Sequence, residues 1–178
     1  MQLPAKYRWL ENVGTLPRIV QEGIKTLGII ETPGKGNTRK IMDWANEVGL
    51  KRVYTADSIP WCGLWMAVIA KRAGKGLMEG PLWALNWAKF GKEAGQPKLG
   101  DILTFTRNGG GHVGLYIAED STTYHVLGGN QSDAVTITRI LKKRLYKART
   151  PKFQFRMPDS ARPYIVSDSG GLISTNEA

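Results

Sequence analysis

The chain has 178 residues, 42% of them hydrophobic, which is enough apolar material for one domain with an ordinary core. A formal net charge of +10 favours anionic partners such as nucleic acid, anionic lipid or cell-wall polymers, although simple solubility would also explain it. The single cysteine excludes an internal disulfide. We find no signal-peptide pattern and no apolar run of about 18 residues, and therefore expect a protein made in a cytoplasm without a membrane span.

Helical spacing of apolar residues predicts four helices in the first half of the chain. They cover residues 16–27, 38–48, 61–73 and 81–91. The third is the most apolar, with Pro60 at its start and Gly74 at its end, so we expect this helix to be buried.

From Gly100 the pattern changes to short runs of β-branched and aromatic residues separated by turn compositions. These runs cover 100–107, 111–120, 122–129 and 134–141, and residues 152–158 are a candidate edge strand. Helices followed by antiparallel strands indicate an α+β fold. We expect one domain over residues 1–158 and a flexible tail over residues 159–178.

Cys62 is the first candidate for chemistry because it stands in the first turn of the predicted buried helix. Backbone N–H groups are unpaired there and the helix dipole is positive, which favours a nucleophilic thiolate. The same N–H groups could hold the oxyanion formed when a carbonyl is attacked. The alternative is a small hydrophobic side chain that only fills the core.

His112 follows three glycines and opens a predicted strand, where it could face a groove as a general base or be an ordinary loop histidine. A third group must orient its imidazole. If residues 119–122 form a hairpin turn, His112 lies opposite Gly129 or Asn130, so Asn130 is predicted to orient the ring, with Gln131 behind it. The alternative for Asn130 is ordinary turn chemistry. His125 is too far along the strand for this role.

Three further side chains are candidates for binding substrate, together with Gln131. Asp57 could contact a substrate amine, or could cap a helix and shape a loop. Trp83 and Trp87 could line a groove, although tryptophans are more often part of the core. We find no metal-ligand pattern and no phosphate-binding glycine motif, and therefore expect no metal and no cofactor.

The stretch Arg139–Arg156 contains eight basic residues and no acidic one. It could hold the protein on anionic outer-membrane or wall polymers, or be a solvated basic face. A nucleic-acid surface is the less favoured interpretation.

Four segments together resemble a known family: PWCGLWMAVIAKRAG, LGDILTF, GGHVGLYIAE and VLGGNQSDAV. They are similar to a phage-associated branch of the NlpC-type and CHAP superfamily of cysteine peptidases. The resemblance implies a papain-like domain with the nucleophile at the start of a buried helix. It also implies that Cys62 attacks an amide carbonyl of peptidoglycan, that His112 is the general base and that Asn130 orients it.

The function implied by this resemblance is that of a phage endolysin acting on the cell wall after release from the host cytoplasm. The enzyme would be an endopeptidase or an N-acetylmuramoyl-L-alanine amidase working through a thioester, as a monomer. Two alternatives stay open from the sequence. One is an inactive basic protein that binds wall or nucleic acid, and the other is a toxin-type hydrolase or acyltransferase on the same fold.

Overall fold

The computed structural model describes residues 3–167. Three α-helices come first: α1 over Arg18–Ile24, α2 over Arg39–Glu47 and α3 over Cys62–Arg72. Three 3₁₀ helices add to them, at Ala5–Asn12, Ala84–Lys89 and Lys142–Arg144.

Six strands form one antiparallel sheet with the order β1-β6-β2-β3-β4-β5. The strands are β1 (Lys92–Glu93), β2 (Ile102–Arg107), β3 (Gly110–Glu119), β4 (Thr123–Gly128), β5 (Thr136–Leu141) and β6 (Leu145–Thr150). Helices followed by an antiparallel sheet make an α+β fold, so the predicted fold class is confirmed at this level.

Side-chain alternation along the strands divides the core into two parts. Val113, Leu115 and Ile117 of β3 face the helices and belong to the larger apolar cluster, which includes nearly all of α3. Tyr116 faces the opposite side of the sheet and joins a smaller cluster around Phe105. Helix α3 is apolar on all sides because the sheet and the other helices surround it, as the sequence predicted.

Two differences from the predicted elements concern the segments beside the sheet. Residues 81–91 form only a short 3₁₀ helix, at Ala84–Lys89. The predicted edge strand at 152–158 is wrong, and β1 and β6 occupy that side of the sheet instead. Pro151, which has no backbone N–H to donate to a ladder, follows the last residue of β6.

The predicted hairpin turn agrees with the gap between β3, which ends at Glu119, and β4. Residues 160–166, in the first part of the predicted tail, form hydrogen bonds with the rest of the domain. Ser160 Oγ donates to the carbonyl of Thr15, and the N–H groups of Glu119 and Val166 donate to the carbonyls of Tyr164 and Glu119. The rest of the predicted tail, residues 168–178, lies outside the described residues.

Between residues 3 and 167, no helix combines the length and the apolar character that crossing a membrane requires.

Candidate active site

Cys62 is the first residue of α3 and is 4% exposed. Its sulfur lies in the first turn of the helix, where backbone N–H groups have no intrahelical acceptor. A Cβ on the next residue, Gly63, would come within 2.5 Å of the carbonyl oxygens of Pro81 and Leu82. Only glycine therefore allows the segment at 81–82 to pack this closely against the helix start, and this segment forms one wall beside the thiol.

The electrostatic surroundings of the Cys62 thiol act in opposite directions. Burial raises its pKa and is the largest effect, while the backbone N–H of Val113, the positive charge of Arg107 and the amides of the helix start lower it. The net direction is upward, so the resting side chain is a thiol. The amides of the helix start act in the direction that the sequence predicts, but desolvation outweighs them.

His112 lies on β3 directly before Val113, and its side chain is 1% exposed. Its ring packs against Phe105, the residue paired with it across the sheet, with 6.5 Å between ring centroids. The Nε2 atom lies 3.1 Å from Oε1 of Gln131. The Cys62 thiol contacts the backbone N–H of Val113, and His112 is the residue directly before Val113 on the same strand.

The amide of Gln131 can have only one orientation. Its Nε2 donates to the carbonyl of Val126 at 3.2 Å and to the carbonyl of Thr136 at 2.7 Å. A flipped amide would place its oxygen against two other acceptors, so Oε1 must face His112. Since Oε1 can only accept, His112 Nε2 carries the proton, and a neutral ring keeps its basic lone pair on Nδ1.

Asn130, which was predicted to orient His112, contacts the helix start instead. Its Oδ1 accepts a hydrogen bond from the backbone N–H of Trp61, the residue before Cys62, at 3.0 Å. Strand β4 ends at Gly128, and Asn130 has a left-handed backbone with φ of 57°. The chain therefore leaves the strand geometry on which the predicted pairing depended, and the neighbouring Gln131 reaches the imidazole.

Gln131 was predicted to bind substrate, and this role is also corrected. It is 2% exposed and its amide is occupied by His112 and two carbonyls. Gly128 lies beside this pair: a Cβ there would be 2.8 Å from Gln131 Oε1 and 3.2 Å from His112 Nε2. The absence of a side chain at 128 therefore leaves room for the hydrogen bond.

Asp57 shapes a loop rather than facing the cleft. It is 1% exposed, and its Oδ2 accepts hydrogen bonds from the backbone N–H groups of Thr32 and Thr38. Thr38 is the residue before α2, so the carboxylate holds the start of that helix. The structure thus places Asp57 in the structural role that the sequence left open as the alternative.

The two candidate tryptophans have different surroundings. Trp83 is 75% exposed and lines a cleft of about 260 Å³ together with Cys62 and Arg107. Trp87 is fully buried, and its indole N–H donates to the carbonyl of Pro81. The prediction that Trp87 lines a groove is therefore wrong, because its ring fills the core behind the cleft wall.

His125, the second histidine, belongs to a separate buried network. Its Nε2 lies 2.9 Å from Asp120 Oδ2, its Nδ1 lies 2.8 Å from the hydroxyl of Tyr7, and Arg139 also binds Asp120. Burial lowers the pKa of His125. Hydrogen bonds from Thr123, His125 and backbone amides hold the pKa of Asp120 below its usual range, despite burial acting in the opposite direction.

Several charges of the basic stretch Arg139–Arg156 are paired within the chain. Four of its cations pair with carboxylates of the same chain: Arg139 with Asp120, Lys142 with Glu119, Lys147 with Glu93 and Arg156 with Asp159. Arg149 donates to the carbonyls of Phe90 and Gly91. The charge available to an external polyanion is therefore smaller than the sequence suggests.

Searches against protein-family models and curated proteins found no match to this chain. The resemblance noted in the sequence therefore rests on its motifs. Within residues 3–167, no group of three or more histidine, cysteine, aspartate or glutamate side chains is placed to hold a metal ion.

Sequence reasoning missed Arg107 altogether. It is the last residue of β2, beside a two-residue turn that contains Gly109 in a left-handed conformation. A basic residue next to an Asn-Gly turn, five positions before the candidate base, was the available signal.

Proposed function

We propose that this chain is a papain-like cysteine hydrolase that cleaves amide bonds of peptidoglycan, with Cys62 as nucleophile, His112 as general base and Gln131 as the residue that orients the base. The observation that supports it most strongly is the fixed Gln131 amide, which sets the tautomer of His112. Nucleophile, base and orienting amide are the three parts that such hydrolysis needs. The sequence resemblance supplies the substrate class.

The reaction begins from a thiol and a neutral imidazole. His112 Nδ1 takes the proton of Cys62 as the sulfur attacks the amide carbonyl, and a tetrahedral intermediate forms. Backbone N–H groups of the first turn of α3 bind the oxyanion. The C–N bond then breaks, the amine leaves with the proton from His112, and a thioester remains. Water, deprotonated by the same imidazole, hydrolyses the thioester and regenerates the thiol.

Two contacts keep this arrangement in place. Gln131 holds the Nε2–H tautomer, and the oxygen of Asn130 holds the peptide N–H of Trp61 immediately before the nucleophile. Both residues lie in the same turn after β4, so that turn positions the base and the helix start together. Asn130 is thus a positioning residue for the nucleophile.

The biological setting that we propose is lysis of a bacterial wall by a phage enzyme that reaches its substrate after release from the host cytoplasm. Endopeptidase and amidase activity are both compatible with the same thioester chemistry. The amine that is released distinguishes the two.

The direct test is digestion of purified peptidoglycan, with mass spectrometry of the released fragments. The unmodified protein should release a new amine on alanine if it is an amidase, or on a diamino acid or D-alanine if it is an endopeptidase. C62A and H112A should reduce release by at least about 1000-fold, as expected when a nucleophile or its base is lost. Both variants should keep the far-ultraviolet circular dichroism spectrum of the unmodified protein.

The matched control changes a charged side chain that lies away from the cleft. Arg39→Gln, at a 95% exposed side chain on α2, should digest peptidoglycan at the normal rate. Full activity in folded C62A would refute the proposal, as would an unmodified protein that binds peptidoglycan without releasing any amine.

A further inference from the structure

The cleft beside Cys62 has an unusual distribution of charge. It is lined by Pro60, by the segment at 82–86, and by Arg107 with glycines 109–111. Among the described residues that line it, Arg107 is the only one with a permanently charged side chain, and no carboxylate is present. A substrate enters a cleft that holds one cation beside the reacting sulfur.

The position of Arg107 is fixed by the hairpin that also holds the candidate base. Arg107 pairs with Gly110, and Phe105 pairs with His112, in the β2–β3 ladder. The two pairs are two positions apart along the strands, which corresponds to about 7 Å between their backbones. Arg107 and His112 are therefore close neighbours along the same hairpin.

Guanidinium groups bind carboxylates through two parallel hydrogen bonds, which gives both affinity and geometric selectivity. The positive charge of Arg107 also lowers the pKa of the Cys62 thiol, which indicates that the two groups lie within electrostatic range. Trp83 presents a 75% exposed indole in the same cleft, where an apolar part of a peptide can pack.

We propose that Arg107 is a specificity-determining residue, which binds a free carboxylate of the substrate in the cleft beside Cys62, so that the preferred substrate is an acidic peptide rather than its amidated form. The inference rests on the proposed function and deepens it. Trp83 supports binding of both forms equally, because its face does not distinguish a carboxylate from a carboxamide.

The test is a binding measurement in which no thiol is present, since the charge of Arg107 also affects the sulfur. C62A is titrated with two synthetic stem peptides that differ only in one glutamate carboxylate, which is free in one and a carboxamide in the other. We expect C62A to bind the acidic peptide about 10- to 100-fold more tightly, the range for a hydrogen-bonded charge.

Adding R107Q to C62A should abolish the preference, because it should weaken the binding of the acidic peptide and leave that of the amidated peptide unchanged. Adding R39Q, at a 95% exposed side chain on α2, should leave the preference unchanged. Adding W83A should weaken both peptides by a similar factor. Equal affinity of C62A for the two peptides, a preference that survives R107Q, or no binding of either peptide would overturn the inference.

Cleavage by the unmodified protein is measured on the same two peptides, and this separates the inference from the proposed function. If C62A prefers the acidic peptide through Arg107 but the unmodified protein cleaves neither peptide nor peptidoglycan, the cleft binds acidic peptides and the hydrolase proposal is wrong. If the unmodified protein cleaves both peptides equally and C62A shows no preference, the hydrolase stands and Arg107 has no selective role.

Discussion

The orientation of the Gln131 amide can be tested by replacing it with a carboxylate of the same shape. In Q131E, two oxygens take the place of one oxygen and one nitrogen, so the carbonyls of Val126 and Thr136 lose their donor. A buried acceptor that loses its partner costs ~1–3 kcal/mol. With two acceptors affected, we expect Q131E to lose at least about 2 kcal/mol of unfolding free energy at pH 8.

The pH dependence of this loss is the distinctive part of the prediction. Burial beside two carbonyls raises the pKa of the introduced carboxyl above its usual ~4.3, so the folded protein holds its proton more tightly than the unfolded chain does. The stabilisation from protonation is therefore present at low pH and is lost as the pH rises through the raised pKa. Protonation supplies one O–H donor, so the deficit relative to the unmodified protein should shrink from pH 8 to pH 5.

Urea unfolding followed by tryptophan fluorescence measures this deficit, with the unmodified protein and each variant compared at every pH. Q131M is the matched control, since methionine nearly fills the same volume but neither donates nor titrates. It should be destabilised at all pH values by an amount that does not change with pH. A Q131E variant as stable as the unmodified protein at pH 8, or a deficit as constant as that of Q131M, would show that the Gln131 amide does not donate to these two carbonyls.

Two more predictions use the glycine beside the base and the separate buried network. G128A should cost about 1–3 kcal/mol and reduce peptidoglycan release at least 10-fold, because the added methyl would lie 2.8 Å from Gln131 Oε1. G95A, with no atom within 4 Å of the new methyl, should change stability by less than about 0.5 kcal/mol in the same urea assay, and equal effects of the two changes would contradict the reasoning. The lowered pKa values of His125 and Asp120 mean that the unfolded chain takes up protons more readily than the folded protein. The contribution of these two groups to stability should therefore fall as the pH drops below ~6.5 for His125 and further below ~4 for Asp120. It is measured as the difference in unfolding free energy between the unmodified protein and H125Q, and a difference that stays constant from pH 7.5 to pH 4 would contradict this.

The elements that the sequence predicted well are those with a strong local signal. The apolar run after Pro60 could only be a buried helix, and α3 covers Cys62–Arg72. The alternating runs around the turn at 119–122 gave the β3–β4 hairpin. Strand β6 was missed because Lys147 and Arg149 alternate with less polar residues on a half-exposed strand, where the basic side chains resemble those of a loop.

Exposure was the second property that the sequence could not supply. Trp83 and Trp87 lie four positions apart, and both belong to the same aromatic-rich segment. The short 3₁₀ helix at Ala84–Lys89 turns one ring into the core and leaves the other outside. Neither local composition nor helical spacing distinguishes them, since the difference depends on where the carbonyl of Pro81 lies.

The exchange of roles between Asn130 and Gln131 has one physical cause. Register arithmetic assumes that a strand continues, and with that assumption the residue opposite His112 is Gly129 or Asn130. The strand ends at Gly128, and a left-handed residue at 130 turns the asparagine side chain toward the N–H of Trp61. The longer glutamine side chain then reaches back to the imidazole. The sequence Gly-Gly-Asn-Gln at 128–131 therefore identifies the segment that organises the candidate site. Which of its two amides contacts His112 depends on the backbone conformation after β4, and strand-pairing rules do not give that conformation.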